Sequence, residues 1–141
     1  MKIALFDIDG TLLVAHGAGR RAMERALVTT MGSAGPGGQH YAGKTDPQIV
    51  REAMRHAGYG DADVDQRMPA VLDLYLANLE AELAAAAHDP PAALPGVHEI
   101  LDACEAHERI VLGLLTGNLS MGAERKLRAV GVDPGRFEIG A

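Results

Sequence analysis

Two aspartates one residue apart, Asp7 and Asp9, follow directly on a short apolar run, Ile3-Ala4-Leu5-Phe6. In extended backbone, side chains at i and i+2 project to the same side, so both carboxylates would share one side of the chain. Two unpaired carboxylates at close range repel, and a cation or a substrate proton is expected between them. Gly10 allows a turn that brings a backbone N–H near an anion. That combination suits phosphoryl transfer, with one carboxylate attacking, the other handling protons and a Mg²⁺ neutralising charge. The competing interpretation is an ordinary solvated turn after a strand. A second polar group, Thr116-Gly117-Asn118, closes a second apolar run that spans Ile110 to Leu115.

Both groups need elements that end where they begin. The runs at Ile3 and Ile110 are continuous rather than alternating, as expected for strands buried on both faces of a parallel sheet. Phe137-Glu138-Ile139 opens a third. Helical spacing covers Gly17 to about Met31, with Ala18, Ala22 and Ala26 in register. A second helix is expected to start at Thr45-Asp46-Pro47, with Asp46 as cap and Pro47 at the first helical position, and to end at Gly58. A third is expected from near Pro69 to Ala87, striped by Leu72, Tyr75, Leu76, Leu79 and Leu83, before Asp89-Pro90-Pro91 breaks it. A short helix after Pro95-Gly96 is expected to turn Val97, Ile100, Leu101 and Cys104 inward. The last runs from about Leu119 to Val130 and stops at Gly131. Strands alternating with helices imply an α/β fold with a parallel sheet. The stretch between residues 15 and 89 is too long for an ordinary crossover and suggests a helical domain inserted after the first strand. In such sheets ligands bind at the C-terminal ends of the strands, where both polar groups fall.

Composition narrows the classes further. Apolar residues make up 48% of the 141, enough to bury a core. The net charge of −6 opposes strong attraction to nucleic acid or anionic lipid. No segment approaches the roughly 20 apolar residues of a membrane span, and the interrupted run at the start is no signal peptide. No nucleic-acid or membrane partner is therefore expected. The single cysteine, Cys104, forbids an internal disulfide and points to the cytoplasm. Gly17-Ala18-Gly19-Arg20-Arg21-Ala22 fits a loose dinucleotide-binding pattern but stands about ten residues beyond the strand, with no acidic partner about twenty residues on. Arg20 and Arg21 are expected on a solvated helix face, with Arg20 alternatively in the cleft. The six histidines show no metal-ligand spacing.

Phe6-Asp7-Ile8-Asp9-Gly10-Thr11-Leu12 resembles the first motif of the haloacid dehalogenase superfamily, Asp-x-Asp-Gly-Thr-Leu. Leu115-Thr116-Gly117-Asn118 resembles its second motif, and Pro95-Gly96-Val97 its usual return from cap to core. The position of the insert is similar to that of the phosphoglycolate phosphatase-like branch. The resemblance implies a Rossmann-like parallel-sheet core, incomplete with about three strands, at residues 1–14 and 90–141. Residues 15–89 would form an α-helical cap closing over the site. It implies that Asp7 forms an aspartyl-phosphate, that Asp9 protonates the leaving oxygen and then activates water, and that Thr116 and the Gly117 N–H hold a phosphate oxygen. Gly10, Asn118 and Lys44 would contribute to substrate binding, Lys44 from the Gly43-Lys44-Thr45-Asp46 segment of the cap. Mg²⁺ would take the Asp7 carboxylate and the Asp9 carbonyl. Members that cleave carbon–halogen bonds generally lack the second aspartate, so its presence favours phosphate chemistry.

Two departures from the family pattern stand out. The fourth motif, a Gly-Asp-x-x-x-Asp-like acidic segment, does not follow Phe137. The third-motif cation is either Lys126, the only lysine after the second motif, or a residue beyond Ala141. The expected function is a Mg²⁺-dependent phosphatase acting on a small phosphorylated metabolite. The alternatives are a phosphomutase using the same residues, or a catalytically incompetent fragment or binding module. Alone, the chain is expected to be inactive and to associate through its exposed first strand.

Overall fold

A computed structural model describes residues 1–85 and 88–140. By contacts the chain divides into two units, one of Met1–His16 with Ala86–Ala141 and one of Gly17–Ala85.

The first unit is an α/β layer. Strand β1 (Lys2–Phe6) pairs in parallel with β4 (Ile110–Leu114), and β4 with β5 (Ile139–Gly140), giving the order β1-β4-β5. The expected parallel sheet of three strands is thus present. Helices α4 (Val97–Glu105) and α5 (Ser120–Ala129) supply Val97, Leu101, Ala123 and Leu127 to a core shared with Ile8, Leu12, Leu13, Leu112 and Val132. The sheet is not buried on both faces as its continuous apolar runs suggested. Ala4, Phe6 and Leu114 pack against the core, whereas Ile3 is 54% and Leu5 52% exposed. Apolar continuity reports that both faces lack charge; it does not report that both are covered. Ile100, expected inward, is likewise exposed, because α4 turns only Val97 and Leu101 fully into the core.

A short antiparallel ribbon that periodicity did not reveal joins β2 (Leu13–Val14) to β3 (Ala92–Ala93). Two residues per strand are too few to show a period.

The second unit packs α1 (Ala18–Met31) and α2 (Asp46–His56) against α3 (Asp61–Ala85). Thr45, not Asp46, caps α2, its hydroxyl accepting the Gln48 amide at 3.3 Å, while Asp46 is the first helical residue and is buried. At the other end Gly58 adopts φ 90°, and Gly58 and Tyr59 return their amides to the carbonyls of Arg55 and Met54. That pairing satisfies the last carbonyls of the helix, as the glycine suggested. Helix α3 starts eight residues before Pro69, which lies exposed inside it. Proline is favoured in a first turn, which drew the expected start to it; the helix instead runs through Pro69, with Val64 and Val71 buried before and after it. The expected end at Ala87 lies outside the described residues. Arg20 is neither purely solvated nor free: its guanidinium lies 4.1 Å from the centre of the Tyr41 ring and donates to the Gln39 carbonyl at 2.6 Å. Burial pushes the Tyr41 phenol above its usual range, with Glu24 adding to the effect and Arg20 opposing it.

Candidate active site

The loop after β1 is shaped by one apolar residue. Ile8 is fully buried, while Asp7 and Asp9 on either side of it in sequence stay exposed. The Ile8 carbonyl accepts the amides of Thr11, Leu12 and Leu13 at 3.2, 2.9 and 3.2 Å, winding the chain tightly around this residue. Gly10 makes the turn with φ 78°, a conformation that costs a residue with a Cβ. Its N–H is not turned to an anion, however, but donates to the Leu13 carbonyl at 2.8 Å.

Asp9 is held from above by α5. The Lys126 ammonium lies 2.8 Å from both Asp9 carboxylate oxygens and 2.7 Å from Asn118 Oδ1. Asn118 Nδ2 donates to Asp9 Oδ2 at 2.8 Å and to Thr116 Oγ1 at 2.7 Å. The Asn118 backbone N–H also donates to Thr116 Oγ1, at 3.2 Å. One network therefore joins the loop after β1, the turn after β4 and helix α5. Its geometry follows from the sheet: β1 and β4 are parallel and in register from Lys2↔Ile110 to Phe6↔Leu114, so their C-terminal ends present the two loops side by side. The Leu115 amide extends that pairing by donating to the Phe6 carbonyl at 2.8 Å.

Lys126 is buried to all but 6% of its side chain, whereas Asp9 is half exposed. A lysine is rarely buried unless paired, and this one has acceptors on every side of its ammonium. A signal for it exists in sequence without any family resemblance. Ala123, Lys126 and Leu127 have the i, i+3, i+4 spacing of one helix face, and all three are buried.

Asp7 stands outside this network. Its Oδ1 accepts the amide of Ile8 at 2.8 Å. Gly117 lies half-buried between Thr116 and Asn118. Lys44 belongs to the other unit, where its ammonium pairs with Glu52 and holds that carboxyl below its usual range, with Gln48 assisting. A cleft of about 340 Å³ opens beside Thr116 and Asn118, walled by Leu114, Leu127, Phe137 and Ile139.

No group of three His, Cys, Asp or Glu side chains able to hold a metal occurs among the described residues. Mg²⁺ does not require one. It takes oxygen donors, keeps several waters and is commonly held by one or two carboxylates together with a phosphate. The Asp7 carboxylate is exposed, and it and the Asp9 carbonyl two residues on are oxygen donors of that kind, so the chemistry of the residues present fits such an ion.

A parallel α/β layer with acidic and hydroxyl groups at the C-terminal ends of adjacent strands defines a class of hydrolase-like folds rather than one activity. The family model for haloacid dehalogenase-like hydrolases matches residues 4–139, and the chain belongs to that family. Solved structures share its fold. CbbY from Rhodobacter sphaeroides, in complex with phosphate, is 21% identical with a TM-score of 0.69; the match covers 100% of this chain and 63% of that one. A hydrolase from Pseudomonas syringae is 19% identical with a TM-score of 0.69, over 98% of this chain and 59% of that one. A protein described as a predicted phosphoglycolate phosphatase from Haemophilus somnus 129PT is 19% identical with a TM-score of 0.62, over 99% and 60%. The chain thus spans about three fifths of the length of these structures. No curated protein sequence matches it.

Proposed function

We propose that this protein is a phosphatase that hydrolyses a small phosphorylated metabolite through an aspartyl-phosphate on Asp7, with Mg²⁺ as cofactor. The observation that carries the proposal is the contact of Lys126 with Asp9 at 2.8 Å, within a network that ends on the Thr116 hydroxyl. Phosphoryl transfer passes through a loose transition state with charge spread over the equatorial oxygens, so catalysis consists mainly of positioning and electrostatic stabilisation. A buried cation, an oriented hydroxyl and two carboxylates supply those requirements.

In the first step an Asp7 carboxylate oxygen attacks phosphorus and the bond to the leaving oxygen breaks, Asp9 giving that oxygen its proton. In the second step water attacks the phosphorus of the aspartyl-phosphate. Asp9 takes the water's proton, and the bond from phosphorus to the Asp7 oxygen breaks to release phosphate. Lys126 and Asn118 donate to both Asp9 oxygens and so fix where that carboxylate stands beside the Thr116 hydroxyl. Thr116 and the Gly117 N–H steady a phosphate oxygen, and Lys126 offsets charge beside Asp9. Mg²⁺ held by Asp7 and the Asp9 carbonyl would supply the positive charge that lets an anionic nucleophile approach an anionic phosphate.

A cytoplasmic setting accompanies this function, supported by the lone Cys104. No helix among the described residues is long and apolar enough to cross a membrane.

The test is hydrolysis of p-nitrophenyl phosphate by the whole protein with Mg²⁺, after EDTA, and after Mg²⁺ is restored. Turnover that needs the metal supports the proposal; its absence, with or without metal, overturns it. With a sugar phosphate as substrate, accumulation of a bisphosphorylated product instead of free phosphate would indicate a mutase.

A further inference from the structure

Asn118 touches every other member of the network, and its two ends are not interchangeable. Lys126 Nζ only donates hydrogen bonds, so the Asn118 atom 2.7 Å from it must be the carbonyl oxygen. The amide nitrogen is then forced toward Asp9 Oδ2 and Thr116 Oγ1. A flipped carboxamide would set nitrogen against the ammonium and oxygen against a carboxylate, so the orientation is chemically determined.

Thr116 is constrained in turn. A hydroxyl has two acceptor positions and one proton to donate. Asn118 occupies both acceptor positions, with its backbone N–H at 3.2 Å and its side-chain nitrogen at 2.7 Å. The Thr116 proton must therefore be directed away from Asn118. Asp9, half exposed, would otherwise sample several rotamers; Lys126 grips both its oxygens and Asn118 fixes one of them again.

We propose that Asn118 is a positioning residue whose carboxamide, braced by Lys126, fixes the Asp9 carboxylate and aims the Thr116 hydroxyl as a donor. Aspartate at this position would keep an acceptor for Lys126 but lose the donor to Asp9 and Thr116 and repel Asp9. Alanine would lose both ends. Only a side chain with a donor and an acceptor at this reach serves all three partners. This inference rests on the proposed roles of Asp9 and Thr116 in phosphoryl transfer.

Two readouts test it. The first does not depend on activity: nitrogen-15 NMR of the Lys126 ammonium, which is buried and fully engaged, with Lys126→Met identifying its signal. Asn118→Ala should weaken or abolish that signal through faster exchange, while circular dichroism shows the fold retained. An unchanged ammonium signal in Asn118→Ala overturns the inference. The second is steady-state kinetics of the whole protein. Asn118→Ala should lower kcat on the order of 10–100-fold, as removal of groups that orient site residues does, with a smaller change in KM. Asn118→Asp should be at least as impaired. A raised KM with kcat intact would mean that Asn118 binds substrate directly, and unaltered kinetics would mean that it orients nothing; either overturns the inference. A wild-type protein without phosphatase activity refutes the proposed function instead, and the ammonium signal still decides whether Asn118 holds the network.

Discussion

Lys126 and Asp9 are 117 residues apart in the chain, yet the ammonium of one lies 2.8 Å from both carboxylate oxygens of the other. The contact is asymmetric: the lysine is buried and the aspartate half exposed. That asymmetry makes activity and stability respond differently to the same substitution.

Lys126→Met should lose activity while keeping its stability. Removing one partner of a buried ion pair is normally costly because a buried charge remains. Here the remaining charge, Asp9, can return to water, and methionine fills the space of the lysine stem. Stability should stay within about 1 kcal/mol, the worth of an ordinary hydrogen bond. Turnover should fall on the order of 10–100-fold, as when a group that orients site residues is removed. Thermal melting and kcat measured on the same preparation check this; a large drop in melting temperature with normal turnover would make Lys126 purely structural.

Thr116→Val should also separate the two quantities. Valine deletes the acceptor for the Asn118 amides, a loss of about 1 kcal/mol in stability. Loss of a donor to the phosphate is worth about 2.7–4 kcal/mol in the transition state. Turnover should therefore suffer more than folding, and equal losses, measured by denaturant titration and kcat, would contradict the role given to the hydroxyl.

Much of this site was legible in the sequence, for different reasons in different places. Asp7, Asp9 and Thr116 are conspicuous because they end apolar runs, and the strands those runs foretold are present. Lys126 was legible as the only lysine after the second motif, with a residue beyond Ala141 left as the alternative; its link to Asp9 depends on the packing of α5, which no local pattern encodes. The Gly10 N–H is another tertiary matter, since its acceptor, Leu13, lies in a ribbon of two-residue strands. Pro69 shows the opposite failure, a strong local signal overridden by the packing of α3.

Acid should loosen the second unit. Hydrogen bonds from Arg21 and Arg25 hold the Glu82 carboxyl below its usual range, those from Lys44 and Gln48 do so for Glu52, and those from Arg55 for Asp61. A carboxyl lowered in the folded state stabilises it above the unfolded value, and that contribution fades as pH falls through the unfolded and then the folded value. With ordinary values of 4.5 for the glutamates and 3.8 for the aspartate, the loss should begin near pH 4.5 and deepen below it. All three tyrosines, Tyr41, Tyr59 and Tyr75, lie in this unit and tryptophan is absent, so near-ultraviolet circular dichroism reports on it selectively. A tyrosine signal constant from pH 7 to 3 would contradict the expectation.

The bare sheet face should make the chain associate with a second copy of itself. Ile3 and Leu5 are half exposed on β1, and that strand is paired on one edge only among the described residues. An apolar strand with an open edge is a template for strand pairing. Sedimentation velocity should show association that rises with concentration and is reduced by Ile3→Lys with Leu5→Lys. A monomer at every concentration would contradict this.

The role of Asp7 as nucleophile is tested by trapping the covalent intermediate. The whole protein is mixed with a phosphate ester and Mg²⁺ and quenched in acid within a turnover. Reduction with borohydride then converts an acyl phosphate on aspartate to homoserine, which peptide mass spectrometry locates. Homoserine at position 7, and none anywhere in Asp7→Asn, is the expected result. Homoserine at another aspartate, or undiminished turnover by Asp7→Asn, would contradict it.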